Sequence, residues 1–317
     1  MRAHPFRTGF LLRGGAGEPD GRLVGEHGLG LLSRRGGHVL IVPHVFAGPR
    51  TRATLSDVRW LPVAVAFAAV ASACAAEPAP SPPPSSTAPT TARAEVLGTI
   101  PHDPEAFTQG LELADGALYE GTGLEGRSSL RRLDPTTGEV AQRVELPAPL
   151  FGEGITVVDD RIWQLTWRDG VAIERDRASL RELRRVRYDG EGWGLCLDGG
   201  RLVMSDGTDE LTFRDPVTFA ETGAVRVTRD GRPLDRLNEL ECVDGQVWAN
   251  VWQSEEVVRV DPASGRVLTT ADLGPLRPPG VPPTDVLNGI AAVPGTDEFL
   301  VTGKNWPTIF RIRFTTG

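Results

Sequence analysis

The chain has 317 residues, with 37 glycines, 26 prolines and a formal net charge of −8. The glycine and proline content suits a fold with many turns, and the negative charge excludes a nucleic-acid-binding surface, because such surfaces are basic. His102 is the single histidine downstream of residue 44. A histidine-ligated zinc site or a Ser-His-Asp triad in that part of the chain would therefore depend on one residue.

The N-terminal part divides by composition. Residues 1–56 are rich in Gly and Arg without a hydrophobic period, and we leave them unassigned. Our interpretation is that the translation start of the gene was placed too early. Residues 57–74 contain an apolar run that is short for a membrane span and follows arginines, which predicts a signal peptide. Residues 75–94 are rich in Ala, Pro, Ser and Thr and predict a tether. The remaining residues, 95–317, form one predicted domain.

The predicted signal peptide ends in Ala-Ser-Ala-Cys at Cys74. This sequence resembles a lipoprotein cleavage site, so lipidation of Cys74 and ordinary cleavage nearby both stay open. We expect an exported protein, secreted or held in the cell envelope, whose membrane contact is confined to a lipid on Cys74. We also expect a monomer.

Residues 95–317 repeat a short motif five times, at intervals of about 45 residues. The five copies are Gln109-Gly110-Leu111, Glu153-Gly154-Ile155, Trp193-Gly194-Leu195, Asn238-Glu239-Leu240 and Asn288-Gly289-Ile290. Most copies are followed by an Asp-Gly or Asp-Asp turn and then by a second apolar strand. The period and the short strands predict an all-β fold, a five-bladed β-propeller with four strands in each blade. The first residues of the copies would then form a ring around one axis.

The fifth repeat lacks its fourth strand, because the chain ends just after the predicted third strand at residues 309–314. Residues 95–100 form an unassigned strand at the other end of the domain. Pairing of these two strands would close the propeller and leave no open edge inside the last blade.

Cys196 and Cys242 fall in adjacent predicted blades. They stand at different offsets from the aligned Leu195 and Leu240. This difference favours two free buried thiols over a disulfide, although the sequence leaves both states open.

Six tryptophans lie in the predicted propeller. Trp163 and Trp248 occupy matching positions in second strands, which predicts core packing. Trp193 stands at a ring position, and Trp167 and Trp252 follow second strands, so we interpret these three as walls of a pocket. Lys304 is the one lysine of the chain, and its place in Gly-Lys-Asn-Trp favours a functional role over a chance surface residue.

Several segments together resemble the plant- and bacterial-type glutaminyl-peptide cyclotransferases, over essentially all of residues 95–317. The segments are Phe107-Thr108-Gln109-Gly110-Leu111, Phe151-Gly152-Glu153-Gly154-Ile155-Thr156, Leu237-Asn238-Glu239-Leu240-Glu241, Trp248-Ala249-Asn250-Val251-Trp252 and Leu287-Asn288-Gly289-Ile290-Ala291. One departure is Gly121, where the family usually has Ser. The resemblance implies a five-bladed propeller that converts the N-terminal glutamine of peptides or proteins to pyroglutamate and releases ammonia. It also separates the chain from the animal-type zinc enzyme, which needs histidine ligands.

The implied reaction assigns roles to the ring. Glu153 is the one acid at a first ring position, and a carboxylate can take a proton from the attacking amine and deliver it to the leaving nitrogen. Gln109, Asn238 and Lys304 are predicted to hold the amide and stabilise the oxyanion. The predicted substrate-binding residues are Phe107, Phe151, Trp167, Trp193, Trp252 and Asn288. Glu120 and Glu239 are the reserve carboxylates.

Two alternatives stay open from the sequence. One is a non-enzymatic propeller that binds a peptide or a cell-wall partner at its mouth, since fold does not fix function. The other is a calcium-dependent propeller lactonase or hydrolase. We expect no required cofactor and no zinc, but Glu153, Asn238 and Asn288 could contribute to a structural calcium ion in the central channel.

Overall fold

The computed structural model describes residues 88–316, and nearly all of its regular structure is β-strand. The predicted all-β class is therefore confirmed. The predicted segments 1–56 and 57–74 and most of 75–94 lie outside the described residues. The first strand, β1, runs Thr90–Pro101 and begins before the predicted start at Glu95, so the end of the predicted tether belongs to the sheet. No helix in the described range is long and apolar enough to cross a membrane.

Three repeats fold as separate four-stranded antiparallel sheets whose strands follow chain order. The first sheet consists of β2 (Thr108–Ala114), β3 (Ala117–Thr122), β4 (Ser129–Leu133) and β5 (Val140–Glu145). The second consists of β6 (Gly152–Val158), β7 (Arg161–Thr166), β8 (Val171–Asp176) and β9 (Glu182–Arg187). The third consists of β10 (Leu195–Asp198), β11 (Arg201–Ser205), β12 (Glu210–Arg214) and β13 (Glu221–Arg226).

The other two repeats are joined in one ten-stranded sheet. A short ribbon of β14 (Thr228–Arg229) and β15 (Arg232–Pro233) lies at its side. The fourth repeat consists of β16 (Leu237–Val243), β17 (Gln246–Val251), β18 (Glu256–Asp261) and β19 (Arg266–Asp272). A 3₁₀ turn, Gly274–Leu276, then leads to β20 (Leu287–Ala292), β21 (Glu298–Gly303) and β22 (Thr308–Thr316).

The N-terminal strand completes the last repeat. β1 pairs antiparallel with β22, with Glu95 opposite Arg313 and Ile100 opposite Ile309. The predicted pairing of the two terminal strands is confirmed. The start of β1, at Thr90, also runs parallel to β19 opposite Thr269. This short parallel contact joins the fourth and fifth repeats into one sheet.

The first strands of the five repeats contact one another in a closed cycle, in the order β2, β6, β10, β16, β20 and back to β2. Their backbones approach closely, and the motif glycines allow this approach. A Cβ on Gly154 would lie 2.5 Å from the carbonyl oxygen of Trp193. A Cβ on Gly194 would lie closer still to the carbonyl oxygen of Asn238. The glycine of the motif therefore sets the spacing of these strands, and with it the positions of the residues that precede it.

The core lies between neighbouring sheets, and the two predicted core tryptophans are part of it. Trp163 is fully buried and packs on Phe219 with ring centroids 4.8 Å apart. Trp248 is buried and stacks on Phe314 at 4.5 Å with an interplanar angle of 12°. Their assignment to core packing is confirmed.

The expectation of two free thiols is wrong, because Cys196 and Cys242 form a disulfide with Cα atoms 5.4 Å apart. Successive side chains of a strand point to opposite faces of the sheet. Leu195 packs toward the second sheet, so the next residue, Cys196, faces the fourth repeat. Leu240 packs toward the third sheet, and Cys242, two residues later, faces the same way. Leu195 and Leu240 are equivalent and face the preceding sheet. One cysteine must face the preceding sheet and the other the following sheet for the two to meet. Their distances in sequence from these leucines must therefore differ by an odd number, as one and two residues do.

Candidate active site

A cavity of about 280 Å³ opens at one end of the cycle of first strands. Its residues stand just before or at the start of first strands, or just after second strands, so they converge on the same end of the sheets. The lining residues are Phe107, Gln109, Phe151, Glu153, Trp167, Trp193, Asn238, Trp252, Thr284 and Lys304. Of the predicted catalytic and substrate-binding residues, only Asn288 does not line this cavity.

Glu153 is a buried carboxyl group with one committed oxygen and one free oxygen. Its side chain is 4 % exposed, and Oε1 accepts a 2.6 Å hydrogen bond from Nε2 of Gln109. Oε2 is buried and has no hydrogen-bond partner among the described residues. Desolvation raises the pKa of Glu153 well above its usual value, against the opposing charge of Lys304 and the hydrogen bond from Gln109. A buried carboxyl group with a raised pKa and one oxygen without a hydrogen-bond partner is suited to carry a proton.

Lys304 is the second charged group of the cavity. It is buried, and its Nζ lies 4.7 Å from the centre of the Phe107 ring, which is a cation–π geometry. Desolvation lowers the pKa of Lys304, while the charges of Glu153 and Asp285 oppose that shift. Among residues 88–316 Nζ of Lys304 forms no salt bridge, and the side chain lines the cavity, where its donors can reach a bound molecule.

Gln109 is held in one orientation by groups on both sides. Its Nε2 donates to Glu153, and its Oε1 accepts a 2.9 Å hydrogen bond from Nδ2 of Asn288. The same Nδ2 donates to the carbonyl oxygen of Thr108 at 3.0 Å. Asn288 was predicted as a substrate contact, but it is fully buried behind Gln109. Its position explains which end of the Gln109 amide faces Glu153.

Asn238 presents an amide to the cavity from the start of β16. Its side chain is buried, and Oδ1 has no hydrogen-bond partner within the described part of the chain. Its backbone is fixed, because its carbonyl oxygen accepts a 2.7 Å hydrogen bond from Oγ of Ser205. A buried amide oxygen without a partner costs free energy unless a ligand satisfies it.

Aromatic rings form most of the cavity wall, in two runs. In the first run, Phe107 contacts Phe151 edge-on at 6.2 Å, and Phe151 contacts Trp167 at 5.4 Å. In the second run, Trp193 contacts Trp252 edge-on at 5.2 Å. The predicted pocket walls, Trp167, Trp193 and Trp252, therefore lie where the sequence placed them.

The two reserve carboxylates lie away from the cavity lining. Glu120 is fully buried in contact with His102, Thr108 and Arg131, with Oε1 2.9 Å from Nε2 of His102. Glu239 takes the place of glycine in the fourth repeat. Its carboxylate accepts backbone hydrogen bonds from two other first strands, at Leu111 and Ile290.

The comparison with known proteins agrees with this geometry. A family model for glutamine cyclotransferase matches residues 64–314. The chain belongs to the glutamine cyclotransferase family. A glutaminyl-peptide cyclotransferase from Arabidopsis thaliana is 40% identical over 225 residues, which cover 69% of this chain and 70% of that protein. The crystal structure of Myxococcus xanthus glutaminyl cyclase superposes with a TM-score of 0.69 at 39% identity, covering 72% of this chain and 99% of that chain.

Sequence reasoning missed two residues at the cavity of this family member. Thr284 lines the cavity from the segment between the 3₁₀ turn and β20, which lies outside the repeat and gave no pattern to follow. Glu191 accepts hydrogen bonds from the indole nitrogens of both Trp167 and Trp193. An acidic residue between Gly190 and Gly192, directly before a ring tryptophan, was the available indication.

Proposed function

We propose that this chain is a glutaminyl-peptide cyclotransferase that converts an N-terminal glutamine to pyroglutamate and releases ammonia. The observation that carries the proposal is Glu153, a buried carboxyl group with a free oxygen, in an aromatic cavity that also holds an amide, Gln109, and a buried cation, Lys304. The reaction needs one group that can both accept and donate a proton, and this cavity has one acid in its lining.

The proposed reaction proceeds through a tetrahedral intermediate. The neutral α-amine of the substrate attacks the carbon of its own γ-carboxamide, a bond forms between nitrogen and carbon, and the carbonyl oxygen becomes an oxyanion. Glu153 takes the proton that the amine loses and delivers it to the carboxamide nitrogen, which leaves as ammonia when its bond to carbon breaks. The substrate amine has an ordinary pKa near 8, so it must shed its extra proton before it attacks.

The other cavity residues have supporting roles in this proposal. Lys304 and Asn238 line the same cavity, which supports a role for both in binding the carboxamide and its oxyanion. Gln109 holds Glu153 through the 2.6 Å hydrogen bond and is itself held by Asn288. The aromatic walls bind the short glutamine side chain in a folded conformation and keep these contacts through ring closure.

We also propose that the five repeats are the five blades of a closed propeller. Four observations support it: three separate four-stranded sheets, two more four-stranded repeats within the ten-stranded sheet, the β1–β22 pairing, and the closed cycle of first strands. In this arrangement the cavity lies at one mouth of the central axis, as ligand sites of propellers commonly do.

The proposed chemistry uses side chains and no cofactor. Across residues 88–316 no group of three or more His, Cys, Asp or Glu side chains is arranged to hold a metal ion. Desolvation raises the pKa of Glu112 to about 7 and those of Glu239 and Glu241 well above their usual values. A bound cation would favour the ionised carboxylates, so a structural calcium ion in the channel remains the alternative.

We propose that the protein acts after export, as a monomer, on peptides or proteins that begin with glutamine. The support comes from the sequence: an apolar run with preceding arginines at 57–74 and a tether-like segment after it. Lipidation of Cys74 would hold the domain at the membrane, whereas ordinary cleavage would release it.

The experiment that tests the proposed function is ammonia release by the purified protein from a dipeptide that begins with glutamine. A matched dipeptide that begins with asparagine is the control, because its shorter side chain would have to close a strained four-membered ring. Ammonia from the first and not from the second supports the proposal. Binding of the glutamine dipeptide without ammonia release would favour the non-enzymatic propeller, and activity that is lost in EGTA and restored by calcium would favour the calcium-dependent enzyme.

A further inference from the structure

Glu191 connects the two aromatic runs of the cavity wall. Its Oε2 accepts a 2.7 Å hydrogen bond from Nε1 of Trp167 and a 3.0 Å hydrogen bond from Nε1 of Trp193. Its Oε1 accepts a 2.9 Å hydrogen bond from Nε of Arg168. Trp167 follows β7 of the second sheet, and Trp193 precedes β10 of the third. One carboxylate therefore bridges two sheets at the cavity.

The bridge closes a gap in an otherwise continuous wall. On one side of Glu191 the rings of Phe107, Phe151 and Trp167 contact one another in turn. On the other side Trp193 contacts Trp252. No direct ring contact between Trp167 and Trp193 is present among the described aromatic pairs. The two runs are joined in the structure by the shared Oε2 atom.

The surroundings of Glu191 hold it in this position. The backbone N–H of Gly192 donates to the carbonyl oxygen of Trp167 at 2.9 Å, which ties the Glu191 loop to the first run. The guanidinium of Arg168 stacks on the Trp167 ring at 3.7 Å and pairs with Glu191, so it fixes both partners. Burial alone would raise the pKa of Glu191, but the hydrogen bonds from Trp193, Arg168 and Trp167 bring that pKa below its usual value. The group is thus an ionised acceptor with three donors.

We propose that Glu191 is a positioning residue for the cyclisation: its Oε2 holds the indoles of Trp167 and Trp193 at a fixed separation, and so shapes the slot that receives the glutamine side chain. This inference rests on the proposed function and adds to it the group that sets the width of the substrate slot. Because the walls contact the side chain before and during ring closure, loosening them weakens substrate binding and transition-state binding alike. The effect is therefore expected in KM more than in kcat.

The experiment compares Glu191→Ala with Glu191→Gln, using ammonia release from a glutamine dipeptide. The amide oxygen of glutamine can accept both indole N–H groups as Oε2 does, whereas alanine accepts neither. We expect Glu191→Ala to raise KM about 10-fold or more, with kcat within about threefold, because two hydrogen bonds to a charged acceptor are lost. We expect Glu191→Gln to keep KM within about threefold of the unchanged protein. Glu182→Gln, which breaks an exposed pair with Arg185, is the control and should change neither constant.

The comparison separates the hydrogen bonds from the charge. The negative charge of Glu191 contributes to raising the pKa of Glu153. Both variants remove that charge and so lower the pKa of Glu153. The acid limb of the pH profile of kcat/KM should therefore move to lower pH by the same amount in both. Both variants also lose the acceptor for Nε of Arg168, because an amide nitrogen cannot accept, so a KM difference between them reports the indole hydrogen bonds.

Three outcomes decide the proposal. A high KM in Glu191→Ala, together with a KM in Glu191→Gln close to that of the unchanged protein, supports the positioning role of Glu191. Equal loss in both variants assigns the effect to charge and overturns it, as does an unchanged KM in Glu191→Ala. If Glu191→Ala does not fold, Glu191→Asp replaces it, because the shorter side chain cannot reach both indoles and should raise KM in the same way. Ammonia release by the unchanged protein is measured first, so a failure of the proposed function is distinguished from a failure of the positioning role of Glu191.

Discussion

Glu120 is the carboxylate whose replacement should destabilise the fold without abolishing the reaction. It is fully buried, and Oε1 lies 2.9 Å from Nε2 of His102 and accepts a 2.8 Å hydrogen bond from Thr108. Nη1 of Arg131 lies 3.6 Å from Oε2. Nδ1 of His102 lies 2.7 Å from the carbonyl oxygen of Trp306, which can only accept. The lowered pKa of Glu120 keeps its carboxylate ionised, and a carboxylate can also only accept, so both ring nitrogens donate and the imidazole is a cation opposite Glu120.

The substitution Glu120→Gln removes the one charge that faces this cation from β3. Breaking a buried ion pair on one side costs about 3–5 kcal/mol. Arg131 keeps its 2.8 Å pair with Asp103, so we expect the lower end, about 3 kcal/mol. A domain of this size loses about 2–4 °C in melting temperature per kcal/mol, so the expected decrease is about 6–12 °C. Turnover per folded molecule should stay near normal, because Glu120 does not line the cavity.

The loss should depend on pH in a defined direction. Burial opposes the charged forms, but the pair contacts prevail: the pKa of His102 is raised and that of Glu120 is lowered. The contribution of His102 is complete below its usual pKa and is lost as pH rises through the raised value. The contribution of Glu120 is complete above its usual pKa and is lost as pH falls through the lowered value. The difference in melting temperature between the unchanged protein and Glu120→Gln should therefore be greatest between the usual pKa of a glutamate and the usual pKa of a histidine.

Thermal unfolding followed by circular dichroism, with kinetics at a temperature where both proteins are folded, measures these effects. Glu145→Gln breaks an exposed pair with Arg143 and is the control, which should leave the melting temperature unchanged because exposed pairs contribute little. An unchanged melting temperature in Glu120→Gln, together with a loss of turnover of more than about 100-fold, would refute this reasoning and make Glu120 the proton carrier.

Three further predictions concern the disulfide, metals and the buried lysine. Replacing Cys196 and Cys242 together with Ala should destabilise the fold by about 4 kcal/mol by loop entropy, since the bond closes a loop of 46 residues, and denaturant unfolding measures this. Ammonia release should survive phenanthroline, because the proposed chemistry uses no zinc; complete inhibition that zinc reverses would place the chain in another enzyme class. Lys304→Ala should lower kcat, but by less than the loss of Glu153, because it binds the amide and oxyanion and carries no proton; a larger loss than that of Glu153→Gln would reverse the two roles.

Much of the fold could be predicted because its local rules are strict. The turns after first strands need positive φ, and Asp115 with Gly116 adopts φ values of 47° and 75°. The motif glycines mark where backbones approach, so the residues before them could be assigned to one ring. The start of β1 at Thr90 could not be predicted, because its first residues gain their partner from β19, far along the chain.

The site was predictable to the extent that it follows the repeat. Glu153 and Gln109 stand at ring positions, and the structure brings them together at 2.6 Å. Asn288 stands at a ring position too, but its Nδ2 donates to Gln109, an arrangement that depends on side-chain packing and not on register. Thr284 comes from a segment outside the repeat, where no periodicity guides an assignment.

The most direct test of the proposed mechanism is the turnover of Glu153→Gln on a glutamine dipeptide. The substitution keeps the size of the side chain and an acceptor for Gln109 but removes the group that carries the proton. We predict that kcat falls roughly 10²–10⁴-fold, the usual range for loss of a general acid–base group, with an unchanged melting profile. The unchanged protein should lose kcat/KM as pH falls through the raised pKa of Glu153, because the carboxylate must be ionised to accept the proton. Near-normal turnover in Glu153→Gln would contradict the assignment of Glu153 and the ring register on which it is based.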